Sequence, residues 1–429
     1  METTSALPVL DRPERAVIVA LGKERDLGRQ LAELRELTRA AGAQVVATVL
    51  QDRDRPHLAT YVGKGKLEEL EAAVVAHDAD LVIVDDELGP AQQRNIADAV
   101  GVKVIDRAEL ILDIFAQRAR SAEGKLQVEL AQLEYTLPRL TGFGVMMSRI
   151  GGTGRGAGPL GVRGPGETKL QLDRQHLRHR MTVLRRSLEE VRARRARERA
   201  DRRRSRLPLV GIVGYTNAGK STLLNALAGT DIATSSRLFE TLDPTIRKVD
   251  LGDLEVLMSD TVGFLERLPH QLVAAFRATL EEVVEADALL HVVDASDANA
   301  SKQLAASRAV LEELGALGKP IVTALNKLDL VTEVEALELL RAEAPNPIAI
   351  SAERGTNLDQ LRRALAEELA RRLIPLTLHV PYDRLEVLRV PHQHGRVVST
   401  DYQQDKVVAE VEIEREWLGR LREFIVAES

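Results

Sequence analysis

The stretch that leaves this chain the fewest choices is Gly214-Tyr215-Thr216-Asn217-Ala218-Gly219-Lys220-Ser221. It follows the apolar run Val210 to Val213 without a break and leads through Thr222 into the helical spacing Leu223, Leu224, Leu227. Strand, glycine-bounded loop and helix in that order are the context in which GxxxxGK[ST] becomes a P-loop. Each position then has a physical task. The glycines let backbone N–H groups turn inward around phosphates and the helix presents its positive end. Lys220 reaches the β- and γ-phosphates, and Ser221 ligates magnesium. A glycine turn that carries lysine and serine by chance is the plain alternative, and the motif alone does not exclude it.

Three further elements do. Asp260-Thr261-Val262-Gly263 follows the apolar run Val256 to Met258, where an aspartate at a strand end can hold magnesium through water and a glycine N–H can sense the γ-phosphate. Asn326-Lys327-Leu328-Asp329 follows Ile321 to Leu325 and resembles the guanine-reading element of P-loop GTPases. A carboxylate at Asp329 can accept from both N1–H and the 2-amino group of guanine, whereas adenine would leave it unpaired. Ser351-Ala352-Glu353, after the run Pro347 to Ile350, resembles the last guanine-contacting loop. Four elements in order, each at a strand end, imply GTP as substrate, GDP as product and Mg2+ as cofactor.

Between the first two elements lies Phe239-Glu240-Thr241-Leu242-Asp243, followed by Pro244 and Thr245. Thr241 and Thr245 both qualify as the magnesium ligand of a first switch beside Ser221. Thr241 is expected to be that ligand, which makes Lys220, Thr241 and Gly263 the catalytic set. The plain alternative is that either threonine merely starts a strand or turn, since Asp243-Pro244 reads as a turn by itself. In Ras-like proteins a glutamine after DxxG orients the attacking water. Here the position is Phe264, which cannot hydrogen-bond water, so slow intrinsic hydrolysis and a partner that completes the site are expected.

At 429 residues the chain exceeds the roughly 250 to 300 at which one core stops growing. Apolar runs at Ala16 to Leu21, Val45 to Leu50, Leu81 to Val84 and Val102 to Ile105 alternate with helical stretches, implying a parallel α/β domain over residues 1–120. Leu126, Leu130, Leu133, Leu137 and Leu140 keep 4,3,4,3 spacing, as do Leu177, Met181, Leu184, Leu188 and Val191. Between the two sets, Gly142 to Gly166 holds ten glycines in twenty-five residues, so residues 121–206 read as a helical hairpin with a glycine-rich tip. The P-loop domain, an α/β unit with a mostly parallel sheet and helices on both faces, is expected over 207–373, and a small α+β domain over 374–429.

Charge is distributed unevenly. Arg174 to Arg206 contains fourteen arginines and four acids, while the whole chain carries only -6. A solvated helical face is the usual meaning of such a run. An excess of ten, together with Arg149, Arg155, Arg163 and Lys169 at the glycine-rich tip, points instead to phosphate contacts in structured RNA. Aromatic residues are 3% of the chain, so recognition by shape and charge is expected over base stacking. Tyr61-Val62-Gly63-Lys64-Gly65-Lys66 and Asp85-Asp86-Glu87 suggest a second nucleotide or metal site, but neither has a full motif around it, and loop and strand end is the better reading. The absence of cysteine excludes disulfides, prenylation and palmitoylation, and no apolar run is long enough to span a bilayer. A cytoplasmic monomer is expected, with peripheral membrane attachment left open.

The runs GYTNAGKSTLLNAL, LFETLDPTIR, DTVGFLERLPHQLVAAF and GPGETKLQLDR, with YVGKGKLEEL and LVIVDDELGPAQQRN upstream, resemble the HflX family of ribosome-associated GTPases over nearly the whole chain. The resemblance implies binding to the large ribosomal subunit, with the N-terminal region reaching toward the peptidyl-transferase region, and a role in rescuing or splitting stalled ribosomes or in ribosome biogenesis. The family also has a hydrophobic residue after DxxG, and its switch threonine falls on Thr241. The competing expectation is an RNA assembly or remodelling factor for which GTP is an occupancy signal.

Overall fold

The computed structural model describes residues 12–53, 55–140, 165–204, 207–229, 245–252, 254–260, 263–264, 282–371, 373–414 and 417–428. These fall into two compact units, one within the first 192 residues and one holding the described residues after them. The first contains β1 (Arg15–Leu21), α1 (Glu24–Ala40), β2 (Gln44–Gln51), α2 (Lys64–Ala76), β3 (Leu81–Val84), α3 (Pro90–Val100), β4 (Lys103–Asp106), α4 (Arg107–Arg118) and α5 (Ala122–Arg139). Its four strands pair in parallel in the order β2-β1-β3-β4, as their unbroken apolar runs require when both faces are covered. Val17, Ile18, Val82, Ile83 and Val84 are fully buried. Helix boundaries follow local chemistry: Asp106 caps α4 by accepting from the Glu109 N–H, and Ser121 caps α5 by accepting from Gly124.

Helix α6 (Pro165–Arg204) is the arginine-rich arm, with Pro165 in its first turn. Arg180 makes a bidentate pair with Glu129 at 2.6 and 2.8 Å, and Arg185 bonds Glu134 at 2.9 Å. Both pairs span 51 residues, the same offset that separates the two leucine repeats. A constant offset means that the paired stretches of α5 and α6 run in the same sense, not back to back as in the expected hairpin. A 4,3,4,3 spacing reads identically in either direction, and residues 141–164 could span about 80 Å if extended, so neither periodicity nor connector length forces a reversal. The glycine-rich tip with Arg149, Arg155 and Arg163 lies outside the described residues.

The second unit holds β5 (Leu209–Gly214), α7 (Lys220–Ala228), β6 (Thr245–Asp250), β7 (Glu255–Asp260), β8 (Ala288–Asp294), α8 (Ala300–Glu313), β9 (Ile321–Asn326), α9 (Val334–Glu343), β10 (Pro347–Ala349) and α10 (Leu358–Ala370). The strands form one sheet in the order β10-β9-β8-β5-β7-β6, parallel except for β6, which runs antiparallel to β7. Thr245 opens β6 and is exposed. The strand escaped the sequence reading because TIRKVD is polar and only Val249 is buried, as suits a sheet edge kept soluble by Arg247 and Lys248.

The chain continues into β11 (Leu373–Pro381), α11 (Arg389–His394), β12 (Gly395–Tyr402), β13 (Lys406–Glu414), α12 (Leu418–Leu421) and β14 (Ile425–Glu428), an antiparallel sheet in the order β12-β13-β11-β14. Residues 417–428 form one helical turn and an edge strand, with Leu421 and Phe424 closing the core. Among the described residues no helix is long and apolar enough to cross a membrane.

Candidate functional site

The motif residues meet at the carboxyl ends of β5, β7, β8 and β9, where an open parallel sheet presents its loops to a ligand. Residues 215–219 turn from β5 into α7, and Asn217 adopts a left-handed conformation with φ of 62°. Gly219 has φ of +91°, and a Cβ there would collide with the Asn326 amide. Gly263 is packed as closely, since a Cβ would lie 2.8 Å from Lys220 Nζ and 2.9 Å from Thr216 Cα. Only glycine fits at either place.

Lys220 is buried and donates to the carbonyl oxygens of Gly214 at 3.2 Å and Tyr215 at 2.8 Å. Burial lowers its pKa to about 8, against the opposing pull of Asp260. Ser221 Oγ lies 2.6 Å from Asp260 Oδ2, so the two motifs place a hydroxyl and a carboxylate at one point. Such hard oxygen donors suit Mg2+, which takes one or two protein oxygens and completes its shell with water and phosphate. Thr222 is half-buried one residue on.

Phe264 joins the P-loop rather than facing solvent. Its N–H donates to the Gly214 carbonyl at 3.0 Å, its carbonyl accepts from Thr216 N–H at 2.9 Å, and the residue is only 3% exposed. The ring fills core, which explains how a phenylalanine is tolerated beside a nucleotide loop. Thr261, Val262 and the whole switch segment Phe239, Glu240, Thr241, Leu242 and Asp243 lie outside the described residues.

Asn326 ties the base-side loops to the P-loop. Its Nδ2 donates to the Ala218 carbonyl at 2.8 Å, and its Oδ1 accepts from Ala352 N–H at 2.9 Å. Lys327, with φ of 62°, pairs with Asp294 at 2.6 Å, and Leu328 N–H donates to the Ile350 carbonyl. The Ser351 hydroxyl and, after it, the Arg354 guanidinium hold the Asp329 carboxyl below the usual carboxylate range, with Arg354 Nε 3.3 Å away. Glu353 is exposed. Asp294 and Arg354 were missed in the sequence. Asp294 comes beside Asn326 only because β8 and β9 are neighbours in register, and Arg354 lies in a loop with no motif of its own.

The N-terminal sheet has polar residues at its carboxyl ends too, but they serve one another. Arg107 donates to Asp85 at 2.8 Å and to Glu33 at 2.5 Å, and Tyr61 Oη donates to Asp86 at 2.6 Å. No cluster of three or more potential metal ligands occurs among the described residues. Tyr61 to Gly63 are loop and Lys64, Gly65 and Lys66 open α2, while Asp85 and Asp86 follow the end of β3.

Residues 28–116 match the family model described as GTP-binding GTPase N-terminal, 118–202 its middle region, and 209–327 the 50S ribosome-binding GTPase model. The GTPase HflX of Caldanaerobacter subterraneus subsp. tengcongensis is 45% identical over 415 residues, covering 96% of this chain and 94% of that protein. GTPase HflX of Escherichia coli K12 is 40% identical over 411 residues, covering 95% and 91%. Among solved structures, a GTP-binding protein of Sulfolobus solfataricus in complex with GDP is 26% identical, with a TM-score of 0.45, over 83% of this chain and 99% of that one.

Proposed function

Because the chain belongs to the HflX family of GTPases, we propose that its GTP cycle is coupled to the large ribosomal subunit, in rescue or splitting of stalled ribosomes or in ribosome biogenesis. The chain binds and hydrolyses GTP. The observation that carries the ribosomal reading is the match of residues 209–327 to a 50S ribosome-binding GTPase family. The arginine-dense α6 supports it: Arg180 and Arg185 are committed to acids of α5, but the run of arginines continues to the end of the helix. That run suits the phosphate backbone of ribosomal RNA.

In this reading Gly214 to Thr222 cradle the phosphates, Lys220 exchanges its loop carbonyls for β- and γ-phosphate oxygens, and Asp329 selects guanine while Ser351, Ala352 and Glu353 line the base. Ser221 and Thr241 would hold Mg2+, with the Asp260 carboxylate beside Ser221 adding negative charge to the site. Bound there, the ion would neutralise charge on the phosphate oxygens. Thr241 and Gly263 change contacts when the γ-phosphate leaves, which gives the two nucleotide states different affinities for a partner. With Phe264 packed in the core, ordering of the attacking water falls to the partner.

The test is GTP turnover by the purified chain alone and with separated large or small subunits at fixed salt, with Lys220→Ala as background. Stimulation by large subunits alone is expected, by a factor in the range of about 10³ to 10⁵. Equal rates with and without them would sink the ribosomal coupling.

A further inference from the structure

His291 sits in the middle of β8, 1% exposed, in register with Val213 of β5 on one side and Thr323 of β9 on the other. Among the described residues its Nε2 has no hydrogen-bond partner, and the same holds for two other buried atoms, Thr323 Oγ1 and Ser307 Oγ. Buried polar groups are ordinarily paired, with protein or with ordered water.

All three lie on one side of the sheet. Val293 and Leu325, two residues beyond His291 and Thr323, belong to the apolar cluster formed with Ala300 and Leu304 of α8. Strand alternation therefore points His291 and Thr323 toward α8 as well. Ser307 continues the buried stripe Ala300, Leu304, Ser307, Leu311. A crossover helix runs back against its strands, so the turn after Leu304 lies over the earlier positions. Arg308, the neighbour of Ser307, also acts on the imidazole: burial first, then Lys220 and Arg308, lower the His291 pKa to about 4.

We infer that His291, Thr323 and Ser307 hold one ordered internal water and thereby position the guanine-reading loop. An imidazole and two hydroxyls offer three partners, the number a buried water typically finds. Apolar side chains fill the neighbouring places on this face, at Leu289, Val293 and Leu325, so the polar trio is a local departure from the packing around it. Three residues further on, the same two strands deliver Asp294 and Asn326 as register partners, and from there Lys327 pairs with Asp294 while Asn326 reaches Ala218 and Ala352. A water bridging β8, β9 and α8 sets their spacing just before the loop begins. The inference rests on the reading of Asp329 as the guanine selector.

Fluorescent-GDP affinity, GTP turnover and thermal unfolding of the full chain would be measured for His291→Leu, Thr323→Val, Ser307→Ala and the triple variant, with His291→Gln as the polar replacement. Each apolar single variant should weaken GDP binding about tenfold and raise KM, with kcat changed less than twofold. His291→Gln should recover most of the affinity. The triple should lose less than the product of the singles, because no polar atom is left behind unpaired. Losses that simply multiply, or a fall in melting temperature with affinity untouched, would overturn the positioning role. A high-resolution diffraction structure of the unmodified chain decides the water itself: density within about 3.2 Å of all three atoms is expected, and a direct His291–Thr323 bond or a dry contact would refute it. Asp329→Asn measured alongside separates the two ideas, since unchanged guanine preference there would remove the guanine reading and leave the water intact.

Discussion

The N-terminal sheet and, apart from its antiparallel edge strand β6, the central sheet are built alike, from parallel strands with polar residues at their carboxyl ends, yet they use those ends differently. In the first, Arg107, Asp85 and Glu33 satisfy one another and Tyr61 bonds Asp86, so the charges are spent on structure. In the second, Lys220 is held by loop carbonyls it can relinquish and Asn326 and Gly219 press the loops together, while the ion pairs Lys327–Asp294 and Arg354–Asp329 lie on the base side and leave the phosphate loop unpaired with any carboxylate through Lys220. A strand-end charge becomes a binding group when its present partners are weak and replaceable. Paired carboxylate and guanidinium leave nothing to offer a phosphate.

That contrast can be broken at several points. Asp329→Asn should have the largest effect, reducing discrimination of GTP against ATP by about 10⁴-fold in competition assays, because the amide no longer accepts from both guanine donors. Next comes Lys220→Ala, with turnover down about 10³-fold, while Lys64→Ala and Lys66→Ala in the glycine-lysine segment of the N-terminal domain should stay within twofold of the parent. An equal loss from Lys64→Ala would show that both sheets bind nucleotide. Arg107→Leu should cost about 3–5 kcal/mol, because Asp85 remains buried and Glu33 half-buried without their cation. Hydrogen exchange in β1 and β3 would report it, with GTP turnover of the folded fraction retained.

The smallest effect is in pH. His291, neutral when folded with its pKa near 4, lies below the ordinary value of about 6.5. Unfolding therefore takes up a proton between those values, and stability supplied by the neutral imidazole is present above about pH 6.5 and lost as pH falls toward 4. Calorimetry between pH 4 and 6.5 should find that His291→Leu takes up about one proton fewer on unfolding than the parent chain. An unchanged uptake would mean that the histidine is not held neutral.

Much of this was legible in the residues. The P-loop, DTVG and NKLD announce themselves because phosphate and guanine chemistry demand particular groups at short spacing, and the structure brings Gly214–Ser221, Asp260, Gly263, Asn326–Asp329 and Ser351–Ala352 to one sheet edge. Both parallel sheets were readable from continuous apolar runs. The antiparallel edge strand β6 was not, since its polar residues give no buried pattern.

What the sequence by itself determined is therefore local: which segments turn around phosphate, which groups can read guanine, which runs must be buried. What tertiary structure alone decided is who stands beside whom. Strand order puts Asp294 next to Asn326 and His291 next to Thr323, salt bridges set α5 and α6 in the same sense, and Phe264 pairs with the P-loop backbone. The reason is physical. Periodicity encodes which face of an element is apolar, but neighbours, direction and register depend on contacts between residues far apart in the chain, and several arrangements bury the same faces equally well.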